Sequence, residues 1–203
     1  MAPTAPVVYV IRHGITDWNV AGRFQGAQDI PINAQGQSQA VGNGLLLKQE
    51  LGAKAADFDF VASPLGRTRE TMERVRGAMG LETSGYRTDD RLIEVCFGDW
   101  EGSTIAELTH NEPERVRERS EDKWNFQPPG ANSESYEILS WRVAAWYTEI
   151  QRPTVCVSHG GVIRSLFRRL ADMSGEEAAE LIIPQDRVLK IEGGHLRWLP
   201  ADQ

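Results

Sequence analysis

The chain of 203 residues has little of several things, and each scarcity removes a class of explanation. It has two cysteines, Cys96 and Cys156, each between apolar neighbours. A disulfide framework is not expected, and both read as small buried hydrophobes. Its four histidines show no paired metal-ligand spacing, so no metal and no cofactor are expected. Its 22 lysines and arginines stand against 29 aspartates and glutamates, a net charge of −7. That balance argues against nucleic acid or an anionic membrane surface as a partner. It leaves an anionic small substrate open, because a local cluster of arginines can reverse the field inside a cleft. Long apolar runs are missing too: the run at residues 7–11 meets Arg12 after five residues. Neither a signal peptide nor a membrane span is expected, and a soluble, reducing, cytoplasmic setting follows. There is no repeat and no low-complexity linker. One domain over 1–203 is expected, with enough apolar residues, 40%, for a full core.

What the chain does have is a pair of short apolar runs that each end in histidine. VVYVIRHG covers residues 7–14 and TVCVSHGG covers residues 154–161. Both read as buried strands followed by a polar break with glycine. Strands apolar throughout suit a parallel sheet covered on both faces, where ligands bind at the carboxyl ends of strands. His13 and His159 are therefore expected at one crevice.

Periodicity fills in the rest. A helix is expected over residues 34–51, with Ala40, Gly44, Leu47 and Leu51 on one stripe. A strand at 58–62 leads to a helix at 66–79, with Thr68, Met72, Val75 and Met79 inward. Residues 87–92 hold a short strand or turn. Ser103 is expected to cap a helix through His110, with Glu107 completing a weak capping box. The clearest amphipathic helix spans 135–150, carrying Tyr136, Leu139, Val143, Trp146 and Ile150. A strand at 154–157, a helix at 162–171 and a hairpin of 187–192 with 195–199 complete the series. The alternation predicts α/β, a three-layer α/β/α sandwich with a mainly parallel central sheet. Residues 125–133, NFQPPGANS, fit a loop. The segment at about 103–134 is expected to form a small cap.

The chemistry follows from residue types. A neutral imidazole is a good nucleophile near pH 7. Arg12 beside His13 and Arg67 at the start of a helix can hold anion oxygens through their planar forks. Helix N-termini after His159 and before Arg67 also favour anions. Such a set suits a tetrahedral anion, and phosphoryl transfer needs mainly positioning and charge stabilisation. A leaving group needs a proton, and Glu94 is the best donor: apolar flanks and a bound dianion both favour its protonated form. Glu101, in Trp-Glu-Gly, reads as a structural turn residue. His110 and His195 read as surface residues. Arg115, Arg117 and Arg119 alternate with Glu114 and Glu118 and read as a solvated helix face. Trp124 and Phe126 read as loop anchors.

Five segments carry a family resemblance: RHGITDWN (12–19), RFQG (23–26), ASPLGRTRET (62–71), RLIEVCFGDWEG (91–102) and VSHGGVIR (157–164). In that order they resemble the histidine phosphatase superfamily, in its phosphoglycerate-mutase-like branch. The resemblance implies that His13 becomes phosphorylated. It implies that Arg12, Arg67 and His159 surround the phosphate and that Glu94 donates the proton. Asn19 and Gln25 match positions near the phosphate, and Gly160 joins the substrate-binding set. The family's mutases carry a longer chain and an arginine-tyrosine pair soon after the acid, where this chain has Val95, Cys96 and Phe97. They usually carry threonine where Gln25 stands. No second anion clamp is evident here. The expectation is a metal-independent phosphomonoesterase, a hydrolase acting on a small phosphorylated metabolite. A cofactor-dependent mutase and a non-catalytic phosphate-binding module are the alternatives. The substrate and a homodimer are both left open.

Overall fold

The computed structural model describes residues 6–200. Six strands, β1 (Val8–Arg12), β2 (Asp59–Ala62), β3 (Arg87–Thr88), β4 (Thr154–Ser158), β5 (Val188–Glu192) and β6 (His195–Leu199), form one sheet in the order β3-β2-β4-β1-β5-β6. β1, β2, β3 and β4 run parallel to one another, while β5 pairs antiparallel with both β1 and β6. Alternation along β1 sends Val8 and Val10 into one apolar cluster and Tyr9 and Ile11 into another. Both faces are thus covered, which is why the strand sequences are apolar throughout.

Helices α2 (Ala34–Leu51) and α3 (Gly66–Met79) follow a short α1 (Asp17–Val20) and cover the face of Tyr9 and Ile11. Their bounds match the sequence expectation, and the expected stripes are buried: Ala40, Leu47, Met72 and Val75 are each 0% exposed. Full burial of such a side chain stabilises by roughly 1.5–3 kcal/mol. On the other face, α6 (Tyr136–Thr148) packs beside α7 (Gly160–Leu170), with Leu139, Val143, Trp146, Ile163 and Leu166 in the core. The result is the three-layer α/β/α sandwich. Between the faces' connections lie α4 (Ile105–Asn111), α5 (Pro113–Glu121) and the loop at 125–133; α8 (Gly175–Glu180) precedes β5.

Several details correct the sequence reading. The cap of α4 is Thr104, not Ser103: Thr104 Oγ1 accepts from the Glu107 amide and Glu107 accepts from the Thr104 amide. A capping box needs three-residue spacing, which Thr104 has and Ser103 lacks. α7 begins at Gly160 rather than at residue 162, because His159 takes the extended cap conformation and the glycine pair forms the first turn. α6 stops at Thr148, although Ile150 still packs on the core. Cys96 is half-buried; only Cys156 is fully enclosed, and burial pushes its thiol up. The terminal hairpin turns at Gly193 and Gly194, with φ of 59° and 81°, a pair of positive values that its tight two-residue turn requires. Among the described residues no helix is long and apolar enough to cross a membrane.

Candidate active site

Three parallel strands end in polar residues at the same rim. His13 follows β1, Ser63 follows β2 and His159 follows β4. Backbone pairing carries on past the strand ends: the His13 amide donates to the Ser158 carbonyl at 2.9 Å and the Ser63 amide to Val157 at 3.0 Å. The two imidazoles meet edge to face, with ring centroids 5.3 Å apart. The strand-end argument is therefore met in geometry.

Both histidines are almost wholly buried, 3% and 0% exposed. Burial first, then the charges of Arg67 and Arg12, hold both imidazoles well below the ordinary histidine range, so both are neutral at pH 7. His13 Nδ1 lies 2.8 Å from the Gly14 carbonyl oxygen. A carbonyl only accepts, so Nδ1 carries the proton and Nε2 has the free lone pair. His159 Nε2 pairs with Ser63 Oγ at 2.8 Å, and its Nδ1 is buried without a partner among the described residues.

Two arginines stand at this pair. Arg12 Nη1 donates to the Ile183 carbonyl at 2.8 Å, and Gln185 Nε2 donates to the His13 carbonyl at 3.0 Å. Arg67, 0% exposed, donates to the carbonyls of Gly26 at 2.7 Å and of Gln28. The Nε atoms of both arginines and the Oε1 of Gln25 are buried and unpartnered. Buried polar groups are nearly always satisfied, so such orphans need an explanation. Burial pushes the Arg12 guanidinium down to about 10, which still leaves it charged at neutral pH. Asn19 and Gly160 line the same space, but Asn19 Oδ1 is also engaged, accepting from the Thr16 amide and from Gln185 Nε2.

Glu94 faces the pair across the start of α7. Its Oε1 accepts from the amides of Val95 and Gly161, both at 3.0 Å. The apolar flanks seen in the sequence are thus accompanied by two backbone donors that the sequence does not reveal. A Cβ at Gly161 would come within 2.3 Å of Glu94 Oε1, so only glycine admits this approach. Glu101 accepts from the amides of Ala27 and Phe97 and from Gln28 Nε2, a structural role as expected. His110 and His195 are exposed. Trp124 is buried and stacks on Tyr136, and Phe126 packs on Trp100, so both act as loop anchors.

The crevice is lined by Arg12, His13, Asn19, Gln25, Arg67, Glu94 and Gly160; His159, 0% exposed, touches His13 but is not among the lining residues. The crevice holds about 250 Å³. That lies below the roughly 300–1,000 Å³ of sites for drug-sized ligands and suits a small metabolite. Its walls carry Arg12, Arg23, Arg67, Arg119, Lys123 and Arg164 against Glu94 alone, a local reversal of the net acidic charge. The sequence reading missed Ser63 and four of these cations. Ser63 sits at a strand end, the same signal that found the histidines. Arg23 and Arg164 lie inside the quoted RFQG and VSHGGVIR segments. Arg115 and Arg117 do form exposed ion pairs with Glu118 and Glu114. Arg119 does not: it turns into the crevice and lies over the Phe24 ring at 5.3 Å, a correction to the solvated-face reading. A second groove, about 330 Å³ at the amino ends of β2, β3 and β4, has its arginines already paired: Arg87 with Asp59, and Arg91 with Asp89 and Glu149. Among the described residues no group of three or more His, Cys, Asp or Glu could hold a metal ion.

Comparison with known proteins bears on this geometry. The family model of the histidine phosphatase superfamily (branch 1) matches residues 8–200. A protein of Salmonella paratyphi C named "Probable phosphoglycerate mutase GpmB" is 30% identical over 199 residues, covering 96% of this chain and 88% of its own. The mycobacterial glucosyl-3-phosphoglycerate phosphatase superposes with a TM-score of 0.76 at 26% identity, covering 95% of both chains. A phosphoserine phosphatase of Entamoeba histolytica shares the fold, with a TM-score of 0.75 at 23% identity over 96% of this chain and 95% of its own. The chain belongs to branch 1 of the histidine phosphatase superfamily.

Proposed function

We propose that this protein is a metal-independent phosphomonoesterase that works through a phosphohistidine on His13. The observation that carries the reading is the tautomer of His13: a neutral ring, Nδ1–H bound to Gly14, and an Nε2 lone pair beside two buried guanidinium groups. Nε2 attacks phosphorus in line. The P–N bond forms as the bond to the leaving oxygen breaks, and Arg12, Arg67 and His159 hold the equatorial oxygens. The orphaned Nε atoms of the arginines and Nδ1 of His159 are the donors available for this, and Gln25 and Asn19 border the same oxygens. Ser63, donating to His159 Nε2, leaves the proton on Nδ1.

Glu94 acts as the general acid and gives a proton to the leaving alkoxide. As a carboxylate it then takes a proton from water, whose oxygen attacks phosphorus. The P–N bond breaks, its electron pair returns to Nε2, and phosphate leaves. Segment 103–134 acts as a cap that supplies part of the crevice wall. Support comes from the phosphatase named among the structural relatives, and from Val95–Cys96–Phe97 after Glu94.

The 30% identity to a protein named as a mutase favours one second reading, in which the phosphoryl group returns to a bound product. The primary test is rapid-quench trapping with a radiolabelled phosphoester. Acid-labile, base-stable label is expected in wild type and absent in His13→Ala. Label on serine, or turnover with no trapped label, overturns the reading. A phosphate-release screen across phosphorylated metabolites then finds the substrate.

A further inference from the structure

Glu94 stands on a stretch that no regular element fixes. Residues 93–97 lie between two one-turn 3₁₀ helices, Asp90–Leu92 and Gly98–Trp100, outside every other helix and strand. Backbone carbonyls there have no ladder to pair with and must be satisfied another way. Side chains do it. Arg142, on α6, donates through Nη1 to the carbonyls of Arg91 at 2.8 Å and Ile93 at 2.6 Å, and through Nη2 to that of Glu94 at 3.1 Å. Ser158 Oγ takes the Leu92 carbonyl between them at 2.8 Å. The other face of the guanidinium meets Glu134: Nε donates to Oε1 at 2.9 Å and Nη2 to Oε2 at 2.7 Å. A guanidinium has five N–H donors in a fixed fork, and these bonds use all of them. Glu134 is tied in turn to the far end of the stretch. Its amide donates to the Cys96 carbonyl at 2.9 Å, and its Oε2 accepts from the Cys96 amide at 3.3 Å. The two side chains are only 22% and 19% exposed, so water competes weakly for these bonds.

We propose that Arg142, oriented by Glu134, is the positioning residue of the proton donor: it fixes the backbone from which Glu94 reaches the leaving oxygen. The inference rests on the phosphomonoesterase reading, since it concerns the same acid. An ion pair that served stability alone would need only the carboxylate. Here three of the five donors go to carbonyls within four residues, the last of them that of Glu94 itself. The amides of Val95 and Gly161 hold the carboxyl end of the same side chain. Glu94 is thus held at both ends, by α6 through its backbone and by the start of α7 through its carboxylate. Proton transfer in the transition state is sensitive to such placement, and a displacement of about 1 Å can cost about 10²-fold. Lysine could not replace this clamp in full, because an ammonium is a point donor without the planar fork.

The test compares wild type with Arg142→Met, Arg142→Lys, Glu94→Gln and the double variant Arg142→Met/Glu94→Gln. Rapid-quench kinetics read the phosphorylation step with glycerol 3-phosphate, whose leaving group needs a proton, and with p-nitrophenyl phosphate, whose leaving group does not. Arg142→Met is expected to slow the first about 10- to 100-fold and the second far less. Arg142→Lys should recover part of the loss. Inhibition by inorganic phosphate should hardly change, since Arg12 and Arg67 are untouched. In the Glu94→Gln background Arg142→Met should add little, because residues that act as one unit are not additive. Glu134→Gln gives a second variant should the methionine perturb folding, which circular dichroism checks; it should show the same split, smaller. Equal losses with both substrates, a full further loss in the double variant, or a large rise in the phosphate inhibition constant overturns this inference alone. No leaving-group split in Glu94→Gln removes the acid itself, and with it the residue that positions it. No label on wild type from either compound overturns the phosphomonoesterase reading as well.

Discussion

Glu94 Oε1 accepts a hydrogen bond from the Gly161 amide at 3.0 Å, so the helix start that follows His159 also sets the position of the carboxylate opposite. An alkoxide leaves poorly without a proton, whereas p-nitrophenolate leaves unassisted. Acid catalysis is typically worth about 10²–10⁴-fold. Glu94→Gln is expected to slow phosphorylation by alkyl phosphates within that range and to slow it far less with p-nitrophenyl phosphate. Gly161→Ala, which displaces the carboxylate, should show the same leaving-group split. Burst kinetics read the phosphorylation step; equal losses for both leaving groups would assign Glu94 to positioning.

Ser63 is expected to set the tautomer of His159. Ser63→Ala removes the hydrogen bond between Ser63 Oγ and His159 Nε2, and phosphorylation should slow about 10-fold, the effect of one buried hydrogen bond of roughly 1–1.5 kcal/mol. Nitrogen NMR of the imidazoles should show the proton moving between Nδ1 and Nε2 in the variant. An unchanged tautomer with an unchanged rate would remove Ser63 from the mechanism.

Acid should destabilise the fold through the two histidines. Both are held below the ordinary value by burial and by arginine charge. Above about pH 6.5 neither state binds these protons, so stability is flat. As pH falls below that value, the unfolded chain takes up protons that the native state refuses, and stability falls until the native values are reached. The expected slope is up to about 1.4 kcal/mol per pH unit for each histidine. Urea midpoints between pH 7.5 and 5, compared with His13→Gln/His159→Gln, measure it; an equally steep variant would point to other groups.

Activity is expected to survive extensive chelation, because arginines supply the positive charge that a metal would otherwise bring. Loss on chelation that zinc, magnesium or manganese restores would replace this mechanism.

Hydrolysis should exceed transfer. With 3-phosphoglycerate and catalytic 2,3-bisphosphoglycerate, isomerisation is expected far below phosphatase turnover on the best substrate. Coupled assays of both reactions decide, and efficient isomerisation would promote the mutase reading.

Much of this was legible in the residues. α2 and α3 were bounded correctly because their stripes are regular and their ends are marked by Asn33, Gly52 and Gly80. The histidine pair followed from two strand ends. Four-residue α1 and six-residue α8 leave no mark in the sequence pattern, since such lengths hold between one and two turns and carry no periodicity. The direction of Arg119 was hidden for a different reason. Along α5 it alternates with glutamates like its neighbours, and only the placement of α5 over the crevice separates it from Arg117. The amides that hold Glu94 were hidden because backbone donors leave no mark in a sequence.

The contacts of Ile183 with Arg12 and of Gln185 with His13 tie the first strand's reactive end to a segment 171 and 172 positions later. Without residues 183 and 185 the strand end would keep Arg12 and His13 but lose the carbonyl that aims the guanidinium and the side-chain amide that braces the histidine. The rim is in this sense shaped from two directions: β1 supplies the side chains, and the segment leading into β5 fixes where they point.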